Sequence, residues 1–180
     1  MRLLVLCSGN VCRSPMGEVL IAQHLGERGV TAEVSSAGFL TVDRPAEPAV
    51  VELMAARGLD VSGHRSRLLE PSMVDDADIV IGMARQHVRE AAMLAPDGFA
   101  KTFSLKELVR RGERAGPRLP DEDVPSWLMR VGERRTPAGL LGESPDDDVL
   151  DPIGRRFKVF KQVDAEIDDL ARRLSALLAP

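Results

Sequence analysis

Cys7 and Arg13 stand six positions apart near the start of the chain, inside the run Cys7-Ser8-Gly9-Asn10-Val11-Cys12-Arg13-Ser14-Pro15. A thiol and a guanidinium at that spacing suit chemistry on an oxyanion. The five residues between them can curl into a loop with the sulfur at its centre. Unpaired backbone N–H groups, the dipole of a following helix and Arg13 would then favour a thiolate, and such settings bring a cysteine pKa from ~8.5 into the range of roughly 3.5–7.5. A planar guanidinium holds two phosphate oxygens at once, which lysine cannot do. Ser14 can hydrogen-bond the sulfur and make it a better leaving group, and Asn10 can hold the loop in shape through its side chain. The set describes attack of Cys7 on phosphorus through a thiophosphate intermediate. The amides of Ser8, Gly9, Asn10, Val11, Cys12 and Arg13 would grip the equatorial oxygens. Arg13 and those amides supply the positive field, so neither a metal nor another cofactor is expected.

Such a loop needs a strand before it and a helix after it. Leu3, Leu4, Val5 and Leu6 form an apolar run long enough for a buried strand and too short for a signal peptide or a membrane span. Met16, Val19, Leu20 and Leu25 then recur at helical spacing over 14–28, with Gly29 as a stop. Strand, turn and helix make half of a βαβ unit, and the helix N-terminus favours an anion. Further strands are predicted over 31–36, 78–83 and 99–103. Helices are predicted over 47–57, 84–94 and 104–111, the last with Ser104 as N-cap and Glu107 completing a capping box. Phe160, Val163, Ile167, Leu170, Leu174 and Leu177 step by three and four, which predicts an amphipathic helix packed on the sheet, with a dimer face as the alternative. Strands alternating with helices imply an α/β sandwich whose parallel sheet is covered on both faces.

The C-x5-R-S pattern directly after an N-terminal strand, with Gly9, Asn10, Cys12 and Pro15 in place, resembles the low-molecular-weight protein tyrosine phosphatase family, which also contains arsenate reductases. Ser35-Ser36-Ala37-Gly38 is similar to the family's S-A-G after its second strand, where a serine props the phosphate loop; the resemblance gives that role to Ser36. The stretch Gly58 to Arg67 also resembles a family segment. His64 within it is read as packed under a loop and bonded to backbone, in preference to a catalytic role. Asp151-Pro152 matches the D-P pair that carries the family's general acid. A proton donor on a stiff loop suits departure of an alkoxide or phenoxide, and the residue before a proline is confined to extended conformations. Asp146, Asp147 and Asp148 are rivals on sequence, though their tandem repeat reads as a solvated turn. The resemblance implies a flavodoxin-like fold with strand order 2-1-3-4 and the first strand at the switch point.

At 180 residues the chain is long enough for one domain with a proper core. Its formal charge of −4 gives no reason to expect nucleic acid binding, and no membrane segment is expected. Its two cysteines, Cys7 and Cys12, both lie in the loop. A disulfide framework is therefore not expected, and the location is read as cytoplasmic. Cys12 is a candidate redox partner for Cys7, or simply a small side chain filling the loop floor. The histidines His24, His64 and His87 show no metal-ligand spacing with the cysteines. From 112 to 150 glycines, prolines and charges interleave around an apolar island at Trp127-Leu128-Met129, read as a lid-like insertion with one anchored point.

The family's tyrosine phosphatases place aromatics after D-P, where Ile153 and Gly154 stand here. Phe39 is the candidate wall for a phosphotyrosine ring, and Phe157 a weaker one. The partner is expected to be a phosphorylated protein or a small phosphomonoester, the chain itself a monomer or weak dimer. Two other classes stay open: an arsenate reductase resolved by a small thiol, and a non-catalytic phosphate- or phosphoprotein-binding module.

Overall fold

The computed structural model describes residues 1–179. Four strands, β1 (Arg2–Cys7), β2 (Glu33–Gly38), β3 (Ile79–Gly82) and β4 (Thr102–Ser104), pair in parallel in the order β2-β1-β3-β4. This is the expected flavodoxin-like arrangement. The apolar run of β1 explains its central place. Leu3, Val5 and Cys7 face one apolar cluster and Leu4 and Leu6 the other, so the strand is buried on both sides.

Helices α1 (Arg13–Glu27), α2 (Pro48–Ala56), α5 (Leu105–Ala115), α6 (Val124–Val131) and α7 (Phe157–Leu178) contribute to the larger cluster. Helices α3 (Pro71–Asp76) and α4 (Arg85–Leu94) contribute to the smaller one. The apolar stripe of α7 lies buried along Phe160, Val163, Ile167, Leu170 and Leu174, against α1 and α5. No helix among the described residues is long and apolar enough to cross a membrane.

The expected strand over 99–103 is mostly something else. Pro96–Lys101 forms a 3-10 turn, closed by Thr102 Oγ1 donating to Gly98 O at 2.7 Å, and only three residues remain for β4. Helix α3 had no sequence signal, because six residues are too few to display a helical period.

The 112–150 segment is anchored at several points, where sequence suggested one. Trp127 is fully buried and its Nε1 donates to Gly116 O at 3.0 Å. The Arg135 guanidinium lies between the Phe99 and Phe103 rings and pairs with Glu107 at 2.9 Å. Arg89 donates to Leu140 O and Gly142 O. The aspartates at 146–148 do lie at a turn with Asp146 exposed, but Asp147 is buried and pairs with both Arg85 and Arg110. Burial pushes its carboxyl up, yet hydrogen bonds from Arg110 and Arg85 outweigh that and hold it below the usual carboxylate range. Asp148 accepts from the Arg85 and Ser144 backbone N–H groups.

Candidate active site

Cys7 is the last residue of β1, and α1 begins at Arg13, so residues 8–12 form a loop at the carboxyl edge of the sheet. Every carbonyl of that loop is claimed by its surroundings. Ser8 O accepts from Phe39 N and Leu40 N, Gly9 O from Thr41 Oγ1, Asn10 O from His64 Nε2, Val11 O from Glu47 N and Cys12 O from Met16 N. No backbone N–H from Ser8 to Cys12 has an acceptor among the described residues. Carbonyls held outward and amides left open make an anion-binding nest, reinforced by the N-terminal dipole of α1.

Asn10 holds that shape. Its φ of 50° lies in the left-handed region that asparagine tolerates better than most residues. Its Oδ1 accepts from Arg67 N at 3.0 Å, and its Nδ2 donates to Ser14 Oγ at 2.9 Å and to Ser36 Oγ at 2.8 Å. Ser36 in turn donates to Glu18 Oε2. The directions follow from the ends of the chain. The Glu18 carboxylate takes the Ser36 proton and the Asn10 amide fills Ser14 Oγ, so the Ser14 hydroxyl proton is free to donate to Cys7 Sγ, 3.0 Å away. Gly38 is needed beside this network: a Cβ there would stand 2.8 Å from Asn10 N and 2.9 Å from Cys7 O.

Arg13 is buried and reaches across to the chain's far end. One terminal nitrogen donates to Val149 O at 3.1 Å, and the other pairs with Asp151 Oδ2 at 2.6 Å and lies 3.5 Å from Ser8 Oγ. Its Nε is buried without a partner among the described residues. Asp151 is half exposed, with Ile153 N donating to its other oxygen. Val149 N donates to Met83 O, which fastens this loop to the end of β3.

Cys7, Ser8, Gly9, Val11, Cys12, Arg13 and Asp151 line one cleft of about 230 Å³, walled further by Leu40, Thr41, Arg44, Glu47 and Ile153. Phe39 does not wall it, contrary to expectation. Its ring stacks on His87 with centroids 5.9 Å apart, and the adjacent Leu40 takes the place. Phe157 packs against the larger core cluster. Cys12 is a buried free thiol, pushed up first by burial and then by Cys7, and Cys7 is likewise unbridged. His64 is bonded to the loop's backbone, as its packed reading expects. A larger cleft of about 670 Å³ opens at the opposite edge of the sheet, beside Arg2, Asp78 and Lys101, and shares no residue with this one.

Sequence reasoning missed Glu18, Val149 and His87. His87 is buried, and its Nε2 lies 3.0 Å from Ser8 Oγ. A signal existed for it, since it follows closely on β3, where a doubly wound sheet brings its carboxyl edge to the site. Glu18 lies one turn beyond Ser14 on α1, but nothing in its spacing points to Ser36.

The family model described as low molecular weight phosphotyrosine protein phosphatase matches residues 2–122. The chain belongs to this family. Its similar proteins include the low molecular weight protein-tyrosine-phosphatase Etp of Escherichia coli K12, 32% identical over 133 residues, covering 73% of this chain and 87% of that one. The protein-arginine-phosphatase of Bacillus subtilis strain 168 is 29% identical over 179 residues, covering 99% of this chain and 97% of that one. A low molecular weight protein tyrosine phosphatase structure from T. tengcongensis matches with a TM-score of 0.72 at 28% identity, over 97% of each chain. The family match stops at 122, before Asp151, which meets the loop through its ion pair with Arg13.

Proposed function

We propose that this chain removes phosphate from phosphorylated protein side chains, with Cys7 as nucleophile, Arg13 and the loop amides as oxyanion holders, and Asp151 as acid and then base. The observation that carries the reading is the loop's polarity: five carbonyls bonded outward and the N–H groups of the same residues unclaimed around a buried thiol. A phosphate arriving there meets those donors and the unpartnered Arg13 Nε. It also competes with Asp151 for Arg13, which frees the carboxyl group for the leaving atom. Cys7 attacks phosphorus, and the P–S bond forms as the bond to the leaving atom breaks. Asp151 gives that atom a proton, then takes one from the water that cleaves the thiophosphate. Ser14 hydrogen-bonds the departing thiolate.

Within this reading, two observations favour phosphoarginine over phosphotyrosine. The cleft's apolar walls are the aliphatic Val11, Leu40 and Ile153, with no aromatic ring among its lining residues and the Glu47 carboxyl group beside them. Glu47 suits a cationic leaving guanidine. One relative aligned along nearly the whole chain is the protein-arginine-phosphatase of Bacillus subtilis.

The test is release of phosphate from matched phosphotyrosine and phosphoarginine peptides and from p-nitrophenyl phosphate, without added metal. Turnover of the aryl ester and faster turnover of the phosphoarginine peptide are expected, with Cys7→Ser inactive. An active Cys7→Ser would overturn the mechanism; faster phosphotyrosine turnover would overturn the preference alone.

A further inference from the structure

We propose that the Ser8 side chain is a further phosphate-oxygen donor of this site, and that His87 is the positioning residue that aims it. The inference deepens the phosphatase reading and rests on it. Ser8 Oγ stands between two nitrogens: His87 Nε2 at 3.0 Å and an Arg13 terminal nitrogen at 3.5 Å. Which way the proton runs between Ser8 and His87 is decided at the other ring nitrogen. His87 Nδ1 is buried and has no partner among the described residues. A buried N–H left without an acceptor is rarer and costlier than a lone pair left without a donor, so the ring proton belongs on Nε2.

Nε2–H therefore donates to Ser8 Oγ, and Arg13 donates weakly to the same oxygen. With its oxygen accepting, the single Ser8 hydroxyl proton is free for a third group. Ser8 lines the cleft with Cys7 and Asp151. An oxygen of the bound phosphate is the acceptor this arrangement awaits. His87 is well placed to stay neutral in this role. Burial lowers its pKa to about 3, helped by the nearby Arg13 and Arg89 guanidinium groups. The stacked Phe39 ring covers one face of the imidazole and fixes its plane.

Four variants test this: Ser8→Ala, His87→Leu, His87→Gln and Ser8→Ala with His87→Leu, each assayed for kcat/KM on p-nitrophenyl phosphate and for inhibition by inorganic phosphate. Ser8→Ala should weaken phosphate inhibition and lower kcat/KM by about tenfold, the scale of one hydrogen bond to a charged group. His87→Leu should do the same, and the double variant should be no worse than either single. His87→Gln, whose amide nitrogen reaches the position of Nε2, should recover to within about threefold of the parent if one donated hydrogen bond is all that matters. A purely structural His87 would instead lower the melting temperature and multiply its loss onto Ser8→Ala. That result, an unrescued His87→Gln, or a Ser8→Ala protein with unchanged phosphate inhibition and kcat/KM, would overturn the proposal. Cys7→Ser run alongside separates the two readings. If it is inactive while Ser8→Ala is indifferent, only this proposal falls; if it is active, the phosphatase reading falls first.

Discussion

Ser14 faces the sulfur with a free proton, because the Asn10 amide fills its oxygen and leaves its hydroxyl to donate to Cys7 Sγ. Hydrogen bonds to charged groups are worth about 1.5–3 kcal/mol, so Ser14→Ala should lower kcat by roughly 10- to 100-fold. KM should move less, since the bond strengthens as the thiolate departs; steady-state kinetics on an aryl phosphate would check this. His87 gives a second residue-scale expectation. Its folded pKa lies near 3, against an ordinary value of about 6.5. Between those values an unfolded chain takes up a proton that the folded one refuses. Stability contributed by neutral His87 is therefore present above about pH 6.5 and is lost as pH falls, by up to about 1.4 kcal/mol per unit. Melting temperatures of His87→Gln between about pH 3.5 and 6.5 should fall less steeply than those of the parent. The loop joining Cys7, Asn10 and Arg13 was legible in the sequence because its members lie close together in the chain, although Asn10 and Arg13 also reach distant partners. His87 was less legible: its place soon after β3 points to the right edge of the sheet, but its partner lies 79 residues away.

At the scale of elements, the loop that carries Asp151 is tied to the body of the fold much as the loop of residues 8–12 is. Asp147 bridges Arg85 at the start of α4 and Arg110 on α5, two residues before Val149 joins Met83 and Arg13. Removing one partner of a buried ion pair costs about 3–5 kcal/mol. Asp147→Ala should lower stability on that scale in urea melts and reduce kcat, since Val149 and Asp151 lose their fixed support. Asp147→Asn, which keeps one acceptor oxygen, should lose less of both. The sequence was misleading here: three aspartates in a row look solvated when the two arginines that bury one of them sit 62 and 37 residues away. The capping box on α5 was half right. Ser104 Oγ accepts from Glu107 N, but the Glu107 carboxylate turns instead to Arg111 and Arg135. One arginine a turn further along the helix and another 28 residues on displace the local backbone amide as its partner.

For the whole molecule, the fold was the most legible layer. A central strand whose run from Leu3 to Leu6 is wholly apolar and helices of 3.6-residue period leave few ways to cover a parallel sheet. The region from 112 to 150 resisted, because its order comes from scattered anchors with no repeating pattern. Trp127 is the largest of them, and Gly112 opposite leaves room for its ring. Trp127→Ala should cost about 3–5 kcal/mol. For a chain of this size that lowers the melting temperature by on the order of 10 °C, measurable by calorimetry.

The Arg13 clamp on Val149 and Asp151 joins positions 136 and 138 residues apart. A backbone cut anywhere between residues 13 and 149 would put these two stretches on separate fragments, joined at this point by the bonds of one guanidinium group alone.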